Sequence, residues 1–430
     1  MRCAEQRGDV AQLHFLRRNG MTSRVSSRIA WLAVLLSCAR AASAQPQAPM
    51  PTPVLFDRDM TPGAGATVTT AIGRLVARAE DRFVPMRLFE ARGRLRRGAN
   101  ATYRLAKLAL FDEPQENWFR VANHEVFGHG GRLRELFDGH IGYQLPAPPP
   151  YGRGGGATFF EFGRQPTVEE VLAVTVGGME ANYVAARALT QDALTQGQWH
   201  YRDARRYLYA EYDTIRYVLD THGLEKEGHD VGDFIRIYND VAEDAGEKRL
   251  SARALRRSVL ASFANPMLVY SYYSTFVSYV WSGQTHAPVP MIHLGATRYL
   301  PMARFHLTSF GTEFVIDNTF VRNGRFLDAT VGIGQTIGSR TWSIGMQATR
   351  LASIRGWTID GAGTIWRRPE WGEEFAATVH RNVAERGGRA LALVVEAGFK
   401  TDGYMPGDRL RQGAIVRVGA ALIPMSRQSP

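Results

Sequence analysis

Between Glu313 and Ile423 apolar residues return at every second position, and no other feature limits the fold of this chain so tightly. Phe314, Ile316 and Asn318 alternate with Glu313, Val315 and Asp317; Val331 and Ile333 alternate with Thr330, Gly332 and Gly334. Trp342, Ile344, Met346 and Ala348 alternate with Ser343, Gly345, Gln347 and Thr349, and Trp357, Ile359, Gly361, Gly363 and Ile365 with Thr358, Asp360, Ala362 and Thr364. Similar runs cover 373–381, 388–400 and 411–423. A period of two sends successive side chains to opposite faces of a strand. The turn signals Asn323-Gly324, Gly338-Ser339, Pro369 and Gly387-Gly388 separate the runs, so the pattern predicts about eight antiparallel strands, many of about 10–13 residues.

Upstream the period changes. Segments near 67–94, 98–110, 114–136, 167–190, 198–222, 231–244 and 251–264 space their apolar residues as helices do. The expected class is α+β: a helical domain over 67–285, then an antiparallel β-domain over 286–430 that closes as a barrel. Tyr201, Tyr207, Tyr209, Tyr212 and Tyr217 on the segment from Trp199 to His222 read as packing residues. His229 and Asp230 read as a helix start, with Asp230 as the cap rather than part of a metal site. From Ser258 to Trp281 no residue is charged. Asn265-Pro266 and the run Tyr270-Ser271-Tyr272-Tyr273-Ser274 make that stretch too polar for an ordinary membrane span, so it reads as a buried or interfacial segment.

The eight strands, with one apolar face, Gly-rich opposite faces and Trp near their ends, resemble those of outer-membrane β-barrels. Such barrels usually end on an aromatic residue, whereas this pattern runs out at Leu422-Ile423-Pro424, so a soluble barrel or sandwich is the alternative. The start of the chain agrees with export. Arg24 and Arg28, an apolar core from Ile29 to Leu36, and Ala42-Ser43-Ala44 before Gln45 form a signal-peptide pattern within 1–44, with Met21 as its natural start. Lipid attachment at Cys38 is the weaker alternative. A Pro-rich linker is expected over 45–66. Residues 1–44 hold both cysteines, Cys3 and Cys38, and seven Arg against one Glu and one Asp. Beyond them no thiol remains, and the formal +11 falls to +6, which gives no support for nucleic acid as a partner.

The chemistry is carried by His124-Glu125-Val126-Phe127-Gly128-His129. Imidazole nitrogens bind a metal, and an adjacent carboxylate can take the proton of a water that the metal activates. Histidines at i and i+4 would lie ~40° apart around a helix, but these are at i and i+5, about 140° apart. Both can face one metal only if the helix widens to a π-like turn, a distortion found at functional sites and eased here by Gly128.

His-Glu-x-x-Gly-His resembles the zinc motif of the dipeptidyl peptidase III family, which reads His-Glu-Leu-Leu-Gly-His. Those enzymes are gluzincins, whose third ligand is a glutamate on a helix further along the chain. The resemblance implies His124, His129 and Glu180 as zinc ligands, with Glu125 as general base; Met179 stands where that family has a second glutamate. Thr167 and Glu170 form a capping box for the helix that would carry Glu180 near its middle, where a carboxylate needs a cation. Gly177 and Gly178 would let another backbone come close. His140, Glu161, Glu169 and Glu170 are the other ligand candidates, and Tyr183 is a candidate donor to a developing oxyanion. The loop over 137–166 falls between the two metal helices and is placed to rim a cleft. In it, Ala157 to Phe162 forms either an edge strand for an extended peptide or a hydrophobic plug.

The expected function is that of an exported zinc metallopeptidase, acting on peptides or proteins at the outer membrane or in the periplasm. Two rivals stand beside it. One is a non-enzymatic envelope protein with a structural metal or none; the other is a zinc hydrolase acting on a lipid or cell-wall amide.

Overall fold

The computed structural model describes residues 52–89, 94–148, 154–221, 228–386 and 389–424. The expected leader, with Cys38 and the Ala44–Gln45 junction, lies outside them. Eight long strands form an antiparallel meander: β7 (Thr297–Thr308), β8 (Gly311–Arg322), β9 (Arg325–Thr336), β10 (Ser339–Ile354), β11 (Trp357–Arg367), β12 (Trp371–Arg386), β13 (Arg389–Lys400) and β14 (Gly413–Pro424). Each pairs with the next. Asn323 and Gly324 join β8 to β9 with φ of 50° and 68°, the left-handed pair that a two-residue hairpin requires.

Two short strands extend this sheet to ten: β6 (Ile292–Leu294) on β7 and β1 (Thr52–Phe56) on β14. The α+β class holds, but no pairing joins β1 to β6 among the described residues, so the expected barrel closure is not seen. Part of the stretch read as a Pro-rich linker is therefore built into the fold. The prolines fit for local reasons. Pro53 lies on an edge strand, where a missing N–H costs little, and Pro62 opens helix α1 (Pro62–Phe83) at a position that has no helical partner for its nitrogen.

Helix α2 runs through 94–136 as three α-helical stretches joined by two π-helical turns, Leu108–Asp112 and Asn123–His129. A short hairpin of β2 (Ile141–Gln144) and β3 (Ala157–Phe160) follows; a strand forms within 157–162, and Phe160 and Phe162 pack on the core around Leu133 and Phe137, so features of both alternatives are present. Helix α3 (Val168–Gln196) starts with the Thr167–Glu170 capping box, both halves of which are made. After β4 (Gln198–His200) come α4 (Tyr201–Leu219), α5 (Asp230–Asp244), α6 (Ala252–Val259) and α7 (Pro266–Tyr272), the last continued by a π-helical stretch, Tyr273–Trp281. No helix among the described residues is long and apolar enough to cross a membrane.

Helices and sheet share their cores. One cluster joins Leu189, Trp199, Tyr207 and Met267 to Leu300, Met302 and Phe326; another joins Val176, Phe234 and Leu255 to Phe305 and Leu307. The boundary at 285/286 therefore marks a change of secondary structure within a continuous core. Charges tie the parts as well. The fully buried Arg132 of α2 grips Glu180 of α3 through Nε (3.0 Å) and Nη2 (2.5 Å), and its Nη1 donates to Glu135 (2.9 Å) and to the carbonyl of Asp408 (2.7 Å), beyond β13. Removing that cation would leave two carboxylates buried without their partner. Arg132→Ala is expected to cost about 3–5 kcal/mol of stability, read as a lower denaturant midpoint; an unchanged midpoint would show that this junction does not hold the parts together.

Candidate metal centre

The π-helical turn Asn123–His129 brings the two imidazoles together, as the sequence spacing requires. His124 and His129 are both buried, their Nε2 atoms lie 3.1 Å apart, and their rings meet edge to face. The third member of the group is Asp230, the first residue of α5. Its Oδ2 is 2.9 Å from Nε2 of His124 and 3.4 Å from Nε2 of His129. These three side chains form a group that could hold a metal ion.

The outer nitrogens fix the rings. Nδ1 of His129 lies 2.6 Å from the carbonyl of Val174 and so donates its proton there. Nδ1 of His124 lies 2.8 Å from Oδ2 of Asp213, which also accepts from Asn182 Nδ2 (2.8 Å), while Oδ1 of Asp213 accepts from Arg120 Nη1 (2.5 Å). With a proton on each Nδ1, both Nε2 lone pairs and a carboxylate oxygen converge, which is repulsive unless a further proton or a metal cation lies between them. Carboxylate–histidine support of this kind sets the tautomer and raises ligand basicity in metal sites.

The electrostatics say the same. Burial pulls the His124 pKa down, but Asp213 and Asp230 outweigh it and push it up to about 10. His129 is also lifted, against burial, by Asp230. Burial would raise Asp213, yet His124 and Arg120 hold it down at about 2; Asp230 is held low, against burial, by the two histidines. The pocket is built to contain positive charge.

Glycine makes the approach possible. A Cβ on Gly178 would lie 2.2 Å from Nε2 of His124, and one on Gly128 would lie 2.5 Å from the carbonyl oxygen of Gly177. Val174, Gly178 and Asn182, four residues apart, make the face of α3 that meets the metal turn. Glu180 is two residues on from Gly178, about 200° around the helix, and so cannot join them. Its carboxylate is held by Arg132 and by the backbone N–H of Gly407 (2.8 Å), and burial raises its pKa against the pull of Arg132. The structure thus corrects the expected ligand set: Asp230, read from sequence as a cap, stands with the histidines, and Glu180 does not. His229 is the residue that caps α5. Tyr183 is also elsewhere, stacked on His306 at 4.4 Å beneath Arg304 on the sheet side, with its pKa pushed up to about 12 by burial. Of the other candidates, His140 and Glu161 are exposed, Glu169 lies in the first turn of α3, and Glu170 pairs with Arg164.

Glu125 is buried on the same turn, and its Oε2 accepts from the hydroxyl of Thr158 in β3 (2.7 Å). It is close enough to add to the upward shift of His129. Tyr217 stacks on His124 at 5.4 Å and 13°, and a cavity of about 790 Å³ is lined by Asp213, Tyr217, His229, Arg120, Gly154 and Gly155. Asp213 and Tyr217 were missed because an aromatic-rich helix reads as packing. The available signal was an aspartate between tyrosines at four-residue spacing, Tyr209, Asp213 and Tyr217.

No protein-family model, no curated protein and no solved structure matches this chain. The likeness to the dipeptidyl peptidase III family therefore rests on the motif residues alone. The geometry separates the two ligand sets by experiment. Asp230→Ala should lose the bound metal and Glu180→Gln should keep it, measured by elemental analysis of the purified chain. Asp213→Asn should weaken metal binding by about 10–100-fold. Full metal content in Asp230→Ala would remove that carboxylate from the site.

Proposed function

We propose that the chain is a zinc-dependent hydrolase that cleaves peptide bonds, with His124, His129 and Asp230 as the zinc ligands. The observation that carries this reading is the spacing of the three donor atoms. Zinc bonds of about 2.0–2.2 Å in a tetrahedron place ligand atoms about 3.3–3.6 Å apart; here one separation is 3.4 Å and the other two, 3.1 and 2.9 Å, are a few tenths of an ångström shorter. Two nitrogens and one oxygen, with no thiol among the described residues, fit zinc, and three protein donors match the sites that keep one position open for chemistry.

Zinc in such a site polarises a carbonyl and lowers the pKa of a water toward ~7. Glu125 then has the role of general base: it follows the first ligand on the same turn, and Thr158 orients its carboxylate. Tyr217, against His124 and on the cavity wall, is placed to donate a hydrogen bond to the oxyanion as the carbonyl is attacked. This role replaces the one expected of Tyr183. Strand β3 packs against the metal turn through Thr158, and the β2–β3 hairpin has unpaired outer edges among the described residues. An extended peptide can add to such an edge by main-chain hydrogen bonds, which favours peptides over lipids. None of the residues lining the cavity comes from the uncharged, aromatic segment 258–281.

Against a purely structural metal stands the absence of a fourth donor in the group among the described residues. Glu125→Gln keeps the shape of the side chain and removes its basicity. The zinc-loaded variant should retain its metal and lose about 10²–10⁴-fold in turnover of a quenched fluorescent peptide library that the unmodified chain cleaves. Equal turnover by both proteins would take Glu125 out of the reaction.

A further inference from the structure

The ten-stranded sheet is inverted relative to one that meets water. Its sheltered face carries the charges: Arg304 on Asp317 (2.8 Å), Arg368 on Glu313 (2.7 Å), and Arg417 on Asp57 (3.1 Å). Its outer face carries apolar side chains, and they are bare: Ile333 is 61% exposed, Val416 58% and Phe399 51%. Across β9 to β14 the outward charges stand toward the two ends of the strands, Arg340, Arg367 and Glu373 at one end, Arg325, Arg381 and Arg386 at the other, with Arg381 level with the start of β11. We infer that this outer face is embedded in a phospholipid bilayer.

The dimensions and the rims select lipid as the occupant. At one end Trp342 packs on Trp371, whose strand partner is Arg367; at the other, Arg381 lies over Trp357 at 5.2 Å. Along β11 the two rims are ten residues apart, about 33 Å. At the tilt of about 35–45° usual for spanning strands, that gives an apolar band about 25 Å tall between aromatic and charged borders. A second copy of the chain would need neither that height nor tryptophan at both borders.

The helices complete the belt. The 3₁₀ turn Leu260–Ala264 lies against β7, near one edge of the sheet, and Tyr273–Trp281 lies against β5 (His286–Pro288), the partner of β4. Between those two segments α7 bares Val269 (64%), and the π-helical stretch bares Trp281 (61%). At the other edge α1 lies against β1 and exposes Ile72 and Leu75. The uncharged segment 258–281 thus lies beside the sheet edge, where its exposed Tyr272, Tyr273 and Trp281 meet the same bilayer, although no helix spans it.

The full chain, refolded from detergent into phosphatidylcholine vesicles with brominated acyl chains, should float with the vesicles. Bromines at shallow chain positions should quench its tryptophan fluorescence more than deep ones. Trp357→Phe with Trp371→Phe should remove a large share of that quenching. Val416→Arg, which sets a charge at mid-height, should lower the floated fraction by about 30-fold or more. A chain that stays in the dense fraction, or that forms a stable lipid-free monomer or dimer in buffer without detergent, overturns the inference. Glu125→Gln should float like the unmodified protein, so failure here is distinct from failure of the hydrolase reading.

Discussion

The close crossing of α2 over α3 is the constraint on which the rest of this structure depends. Gly128 rests against Gly177 and Gly178 so closely that neither surface has room for a Cβ. That contact lets the carbonyl of Val174 take the Nδ1 proton of His129 and puts Asn182 on Asp213. The widened turn Asn123–His129 is the second half of the same device. A regular helix would aim the two imidazoles about 140° apart; the extra residue in the turn swings them to one point.

The same helix α3 divides the molecule. Its glycine face serves the metal centre, and its other side carries Glu180 to Arg132, Tyr183 to His306 and Arg187 to Asp328. Charged side chains share the space between helices and sheet with the two apolar clusters, an arrangement that is costly unless every ion has a partner. Here the pairs are extensive, and the apolar residues displaced from the interior are found on the outer face of the sheet. Inversion of the sheet and pairing of its interior are one fact seen from two sides.

Much of this was legible in the sequence. The period-two runs gave the strands and their turns, because sheet geometry leaves no other way to sort Phe314, Ile316, Trp342 and Ile344 from their neighbours. The i, i+5 histidines demanded the π turn, and Gly177-Gly178 signalled a close approach. Asp230 was not legible: an aspartate at a helix start satisfies the backbone so well that a second role leaves no local trace. Glu180 misled for the complementary reason. A buried mid-helix carboxylate does need a cation, and sequence alone does not say whether that cation is a metal or Arg132, 48 positions earlier. Barrel closure was likewise inferred from strand length, the apolar face, the Gly-rich opposite faces and the tryptophans near the strand ends, whereas the edges of the sheet lean on helices that the change of period set in another domain.

The central claim is that two imidazoles on one widened turn and a carboxylate about a hundred residues later hold one metal ion. Anomalous diffraction at the zinc edge, on crystals of the zinc-loaded chain, tests it most directly. The account predicts a single strong peak within about 2.0–2.2 Å of Nε2 of His124, Nε2 of His129 and an oxygen of Asp230. A peak seated on Glu180, or no ordered zinc between the two histidines, would contradict it.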